Sequence, residues 1–252
     1  MVAGYAVAVL ATPAGISGAV LLLPFQVRVL DVPSLVATPT NLLYNVIATP
    51  GALYRYWRQK QTGGRLALIL IAGTLPGVIA GTVIRVELLP GPRVFNLMVA
   101  AVLVPLGTWL VLTRPTPPDQ PARAVRSIPI PLLVLLAAVV GCVGGIYGVG
   151  GGAILAPILI GSGRSPSVVA PAALAATFVT SAAGVISFTI LAAQTGGAAP
   201  DWPTGIALGL GGLAGGYTGA RIQSRLPDAV IRRLVGVLAT AVGLFFLWLG
   251  LS

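Results

Sequence analysis

The chain has 252 residues, of which 56% are hydrophobic and only 8% are charged, and its mean hydropathy is +0.98. Soluble domains typically carry about 25% charged residues, so this composition excludes a water-soluble globular domain and predicts an integral membrane protein. The net charge of +10 does not indicate nucleic-acid binding, because the basic residues lie between hydrophobic runs, where cytoplasmic loops collect Lys and Arg.

Eight apolar segments follow one another along the chain. Because about 20 residues cross the hydrocarbon core as a helix, and barrel strands would alternate over runs of about ten, the sequence predicts an all-α membrane protein. The start of the chain lacks the positive charge of a signal peptide, and we expect it to belong to the fold. The segments cover residues 3–27, 33–54, 66–84, 94–113, 128–161, 166–193, 204–220 and 229–251.

The first two segments combine a glycine-containing stretch with polar residues. GISGA, residues 15–19, precedes Pro24, and the second segment carries Thr38, Thr40, Asn41 and Asn45. A lone Ser or Thr in a helix usually bonds a local backbone carbonyl. The two asparagines, one turn apart, are different because a buried amide needs partners.

A basic loop and a proline-rich stretch separate the next segments. Residues 55–65 contain four basic side chains, and residues 113–129 contain five prolines and three arginines. Such a stretch disfavours regular structure and predicts an extended linker, and the positive charge of both places them in the cytoplasm. The sequence therefore predicts a first membrane repeat at 1–112, a linker at 113–129 and a second repeat at 130–252.

The fifth segment, residues 128–161, has 34 residues and is too long for one crossing. GVGGG at 148–152 is the expected interruption, because each glycine costs about 1 kcal/mol against alanine in a helix. Broken backbone is tolerated at membrane depth where it is buried in protein or lines a wet cavity. A helix restarting near Ala153 would direct unpaired N–H groups and its positive dipole end at an anion. Close helix packing is the alternative role for these glycines.

Internal repeats support a duplication. A shift of 133 residues pairs eight identical residues between positions 15 and 37 and their counterparts, and a shift of 138 pairs Gly73, Gly77 and Gly81 with Gly211, Gly215 and Gly219. The loop matching 55–65 holds one charge, Asp201, whereas the loop after it is arginine-rich. Matching loops are thus expected on opposite sides, which requires a broken or re-entrant segment in each half.

The motifs resemble the TauE/SafE family of sulfite exporters and related permeases, over nearly the whole chain. The family has a glycine-rich stretch followed by proline in each half and then Ala-x-x-Thr-Ser-Leu; here the counterparts are GVGGGAILAP, GISGAVLLLP and ATPTNLL, with Thr40 and Asn41 at the Thr-Ser positions. The chain departs from the pattern at Ser17 and Ala19, and at APAALAATF in the second half. The resemblance implies transport of sulfite, sulfonates or similar small anions across the bacterial inner membrane.

The predicted function is therefore transport of a small anion at a midplane site by alternating access, with a channel-like pore, an importer or a non-transporting scaffold as alternatives. The expected partners are the anion and the lipid bilayer, and a homo-oligomer is compatible with the sequence. With one cysteine, no histidine and five acidic residues, no enzyme, metal site or cofactor is expected. The residues expected to line the site are Gly15, Ser17, Gly18, Thr40, Asn41, Asn45, Tyr147, Gly148, Gly150, Gly151, Gly152 and Thr177.

Overall fold

The computed structural model describes residues 1–61, 63–88, 92–112, 128–196 and 199–251. Within these ranges the chain forms a 3₁₀ turn (Thr12–Ala14) and ten α-helices: α1 (Val2–Ala11), α2 (Ala19–Arg28), α3 (Ser34–Arg58), α4 (Gly64–Glu87), α5 (Pro92–Leu112), α6 (Ile130–Tyr147), α7 (Gly151–Gly161), α8 (Pro166–Thr195), α9 (Trp202–Gln223) and α10 (Asp228–Leu251). The expected linker lies outside the described residues except for its last two positions, and the division into two repeats stays a prediction.

The helix lengths fit a bilayer. By length and composition α4, α6, α8 and residues Ala229–Leu251 of α10 can each cross a membrane. With 25, 21 and 22 residues, α3, α5 and α9 also reach the length of about 20 residues that a crossing needs. In contrast, α1, α2 and α7 have 10, 10 and 11 residues and are too short to span alone. The prediction of an all-α membrane protein is confirmed.

The long fifth segment is interrupted at its glycines. The helix α6 ends at Tyr147 because Gly148 takes a left-handed conformation, with φ 69° and ψ 21°, which residues with a side chain rarely adopt. After Val149, the next helix begins at Gly151, two residues before the expected restart at Ala153. The restart is earlier because Gly150, with φ 71° and ψ 144°, already completes the change of direction, so that helical geometry resumes at the following residue.

The chain turns back on itself at this interruption. Gly150 lies against Thr177, and Gly152 lies against the backbone of Ala173. The end of α7 is joined to the start of α8 by a loop of four residues, 162–165. The short helix α7 therefore runs antiparallel to the first half of α8, and its N-terminus lies beside the middle of that helix.

The first segment has the same design. After the 3₁₀ turn, Gly15 takes a left-handed φ of 70°, and α2 begins four residues later, at Ala19. The hydroxyl of Ser17 is hydrogen-bonded to Asn45 in the middle of α3, while a five-residue loop, 29–33, joins the other end of α2 to the start of α3. Each glycine-containing break thus lies at the open end of a helical hairpin, formed by α2 and α3 or by α7 and α8.

Each of the two predicted repeats contributes a helix that packs on the other repeat. In α4, Gly73, Gly77 and Gly81 pack on α6, and in α9, Gly211, Gly215 and Gly219 pack on α1. Successive glycines meet successive turns of the facing helix, so both pairs run parallel and approach closely, as small residues allow in membranes. α4 packs on α8 as well, and α9 on α3.

Helices at equivalent positions of the two predicted repeats run in opposite directions. In the crossing of α3 and α8, Asn45 is bonded to Ser181, whereas Leu42, which precedes it, packs on Gly184. Since residue numbers fall along one helix as they rise along the other, the two helices are antiparallel. The last pair, α5 and α10, is antiparallel too, because Gly107 contacts Thr240 and Gly243 contacts Val104.

These directions place most basic loops on one face, which we call the arginine-rich face. It is formed by the ends of α3 and α9 and the starts of α4, α8 and α10, since Gln223 donates to the carbonyl of Pro166 at 3.5 Å and Gly63 lies against Ala172. The opposite face has mixed charge. The arginine-rich face carries Arg55, Arg58, Lys60, Arg65, Arg164, Arg221, Arg225 and Arg233, and the opposite face carries Arg28, Asp31, Glu87, Arg93 and Asp201.

Candidate functional site

Three buried polar side chains connect the first break to the crossing of α3 and α8. The Ser17 hydroxyl donates to the amide oxygen of Asn45, and the amide nitrogen of Asn45 donates to the hydroxyl of Ser181 at 3.2 Å. The Ser17 oxygen also accepts the backbone N–H of Ala19 at 3.1 Å, at the start of α2. All three side chains are buried, which explains why each is satisfied by another polar group.

The second break meets the same polar residues from the other side. A side chain at Gly150 would lie within 3.0 Å of the Ser181 hydroxyl and 2.8 Å of the Thr177 methyl group. The neighbouring N–H of Gly151 donates to the hydroxyl of Thr180 at 3.4 Å. The two breaks therefore meet at one group of residues, which we call the central cluster. Its members are Ser17, Asn45, Gly150, Thr177 and Ser181.

The Thr177 hydroxyl is the group of this cluster that could donate a hydrogen bond to a ligand. It is fully buried and has no hydrogen-bond partner among the described residues, although an unmade bond in such a place costs about 1–3 kcal/mol. It lies beside Gly152 in the first turn of α7, where the helix dipole favours negative charge. A hydroxyl donor next to a helix N-terminus can bind an anion.

A second buried hydroxyl on the first-half side was not predicted. Tyr44 lies against Gly18 and Gly212, and its hydroxyl has no hydrogen-bond partner within the described part of the chain. It lines a small cavity together with Ser17 and Asn45. The sequence did contain a signal, since Tyr44 and Thr177 are separated by the repeat shift of 133 residues.

The two remaining predicted polar residues of α3 lie outside the central cluster. Asn41 donates to the carbonyl of Ala19 at 3.0 Å and accepts a hydrogen bond from Gln26, which ties α2 to α3. The Thr40 hydroxyl donates to the carbonyl of Val36 at 2.7 Å and accepts the N–H of Asp201 at 2.9 Å, which ties α3 to the start of α9. Both side chains are thus engaged in holding helices together.

Of the remaining predicted residues, Gly15, Gly18 and Gly148 make close backbone contacts. Gly15 lies against Ala170 of α8, Gly18 against Tyr44, and Gly148 against the carbonyl of Thr38. These contacts pack each break onto a long helix of the bundle.

The last predicted residue, Tyr147, lies beside an arginine that sequence reasoning missed. Arg85, in the last turn of α4, is fully buried; its guanidinium donates to the hydroxyl of Ser34 at 3.3 Å and interacts electrostatically with Tyr147. Hydropathy ended the third segment at Ile84, and a basic residue directly after an apolar segment usually reaches to the membrane interface. No pattern around Arg85 indicates that its side chain points inward.

Long apolar helices, two broken segments and a buried polar cluster where the breaks meet are the features of a multi-pass membrane transporter. The family model of the sulfite exporter TauE/SafE matches residues 1–246. The chain belongs to this family, which confirms the resemblance found in its motifs.

Named relatives agree with this class. The chain is 24% identical over 227 residues to a probable membrane transporter protein of Xylella fastidiosa strain 9a5c, and 24% identical over 217 residues to one from strain Temecula1. In both comparisons 85% of this chain and 78% of the relative are covered. No solved structure matches the chain. The protein is a multi-pass membrane transporter.

Proposed function

We propose that the protein carries a small anion across the bacterial inner membrane, the substrate being sulfite, an organosulfonate or a related sulfur-containing or carboxylate anion. The observation that carries the proposal is that both helix breaks meet at the central cluster, where the Thr177 hydroxyl is buried without a partner in the described structure. The family supports the sulfur-containing class, since its model is that of a sulfite exporter.

Binding in this site uses neutral groups. The N–H groups in the first turn of α7, apart from that of Gly151, which bonds Thr180, and the hydroxyl of Thr177 would donate to the oxygens of the anion, as at other helix N-termini. Asn45 and Ser181 hold the break in position through their hydrogen bond. Because no carboxylate or histidine belongs to the central cluster, exchange or movement down the gradient of the anion fits better than coupling to protons.

The directions of the helices support alternating access as the mechanism. Equivalent helices of the two predicted repeats are antiparallel, and such inverted repeats place a binding site at their interface and expose it to each side in turn. In this mechanism the hairpin of α2 and α3 and the hairpin of α7 and α8 move relative to each other. The cluster between them opens first to one side of the membrane and then to the other. The positive-inside rule makes the arginine-rich face cytoplasmic.

The test is Thr177→Val, which replaces the hydroxyl by a methyl group of similar size. Since that hydroxyl makes no hydrogen bond in the described structure, the variant should unfold at the same temperature as the wild type or a higher one. Its affinity for methanesulfonate and sulfite, measured by thermal-shift titration of purified protein, should fall about 10- to 100-fold, because hydrogen bonds to charged groups contribute about 1.5–3 kcal/mol.

Thr189→Val is the matched control, because Thr189 lies on the same helix, is exposed, and bonds the carbonyl of Val185 at 2.8 Å. Its affinity should equal that of the wild type. Equal affinities of the Thr177 and Thr189 variants would place the anion elsewhere. Wild-type protein that binds no anion of the panel would favour a scaffold, and flux into liposomes that does not saturate would favour a pore.

A further inference from the structure

Arg85 is the one charged side chain that is fully buried in the described part of the chain, with 0% of its surface exposed. It belongs to the last turn of α4, on the side opposite the arginine-rich face. A buried charge in a membrane protein is costly, and such residues usually face the interior and mark the path of an ion or substrate. The position of Arg85 therefore requires an explanation beyond membrane anchoring.

Among the described residues, two of the groups next to Arg85 are the hydroxyls of Ser34 and Tyr147, near the second break. Ser34 accepts a hydrogen bond from the guanidinium at 3.3 Å, and the phenol of Tyr147 interacts with it electrostatically. Tyr147 is the last residue of α6, directly before the left-handed Gly148. Neither hydroxyl carries a charge that would neutralise the guanidinium. The three groups together present an anion with a positive charge and polar hydroxyl groups.

The other half of the chain shows what this position needs for structure alone. The repeat shift of 138 residues places Gln223 at the position of Arg85. Gln223 is also buried, and its amide donates to the carbonyls of Pro13 at 2.7 Å and Pro166 at 3.5 Å. It thereby ties the first break to the start of α8. A neutral amide is thus sufficient to hold a break in place, so the positive charge of Arg85 has another use.

We propose that Arg85, Ser34 and Tyr147 form an anion-recognition site at the mouth of the second break, on the face opposite the arginine-rich loops. This inference rests on the proposed anion transport and adds a second site in series with the central cluster. Its ligand is an oxyanion with at least two oxygens, such as a sulfonate, sulfite or carboxylate, because a planar guanidinium recognises such groups through paired N–H donors. The neutral Gln223 makes the transport path electrostatically asymmetric.

The test compares an anion with a neutral molecule of similar shape. Wild-type protein should bind methanesulfonate more tightly than dimethyl sulfone, which has two oxygens and no charge. In Arg85→Gln, which copies the residue of the equivalent position, the affinity for methanesulfonate should fall about 10- to 100-fold while that for dimethyl sulfone stays constant. Arg85→Lys keeps the charge without the paired donors and should lose less than the glutamine variant.

Arg58→Gln is the control, since Arg58 is an exposed cation of the arginine-rich face and its removal should leave both affinities unchanged. Ser34→Ala, at the half-buried start of α3, serves as the second variant if Arg85→Gln fails to fold, and its affinity for methanesulfonate should fall while that for dimethyl sulfone does not. A folded Arg85→Gln protein with unchanged affinity for methanesulfonate would overturn this inference alone. Wild-type protein that binds no anion would overturn the proposed function as well.

Discussion

Asn45 of α3 donates a hydrogen bond to Ser181 of α8 across 3.2 Å, at the point where equivalent helices of the two predicted repeats cross in opposite directions. The same asparagine accepts the hydroxyl of Ser17 at the first break, and Gly150 of the second break lies against the same serine. One side-chain pair therefore contacts both breaks.

Ser181→Ala should destabilise the protein by about 1–2 kcal/mol, because the buried amide of Asn45 loses its acceptor. Ser187→Ala, on the same helix, should change the stability by less than about 0.5 kcal/mol, since that hydroxyl bonds the carbonyl of Ala183, one turn away. Thermal unfolding of both variants in detergent measures the difference. Equal stabilities would show that the contact between Asn45 and Ser181 adds nothing to the fold.

Gly148→Ala should destabilise the protein more than Gly196→Ala. Both glycines follow a helix and share a left-handed backbone, with φ 69° and ψ 21° at Gly148 and φ 68° and ψ 16° at Gly196. Both variants therefore carry the same conformational cost of about 1–2 kcal/mol. A methyl group at Gly148 also collides with the carbonyl of Thr38, whereas no described residue lies within 4 Å of a methyl group at Gly196.

The unfolding temperature in detergent should reflect this difference. Gly196→Ala should lower it modestly, and Gly148→Ala should lower it further and reduce anion binding, because the second break can no longer pack on α3. Similar unfolding temperatures for the two variants would contradict the close packing at this break.

Single cysteines placed in loops should report the directions of the helices. In a background with Cys142→Ala, the exposed positions Lys60 and Ser224 should react with an impermeant maleimide from one side of the membrane, and Leu30 and Thr195 from the other. The positive-inside rule makes the first side cytoplasmic. Labelling of Lys60 and Ser224 from different sides would contradict the parallel arrangement of α3 and α9.

Gln223→Leu should destabilise the protein by about 1–3 kcal/mol, because the buried carbonyls of Pro13 and Pro166 lose their donor. Gln194→Leu is the control, since Gln194 is exposed near the end of α8. Thermal unfolding should separate the two variants. If they unfold at the same temperature, the amide does not hold the first break against α8.

Much of the fold could be predicted from the sequence because the membrane limits the choices. Hydropathy located the apolar segments, the run of glycine located the second break, since glycine is costly inside a helix, and the internal repeat located the first. The spacing of Gly211, Gly215 and Gly219 indicated close packing. Their partner, α1, lies some two hundred residues earlier in the chain, and no local pattern specifies such a contact.

The candidate site was less predictable, since its members are defined by direction and distance. Among the predicted residues, Thr40 and Asn41 face other helices, while Ser17, Asn45, Gly150 and Thr177 meet. Tyr44 and Arg85 were missed for opposite reasons: a tyrosine in an apolar helix resembles ordinary packing, and an arginine at the end of one resembles an interfacial anchor. Their burial depends on helices from the other half, which the sequence of α3 or α4 does not reveal.

The parallel packing of α1 on α9 and of α4 on α6 has a consequence for biosynthesis. The glycine face of α4 can pack only after α6 has been synthesised. The helix α1 can pack on α9 only after the ribosome has passed Gly219. The helix α1 must therefore wait in the bilayer, or beside the insertion machinery, until α9 has been made. Truncation before α9 would leave α1 without the helix on which it packs.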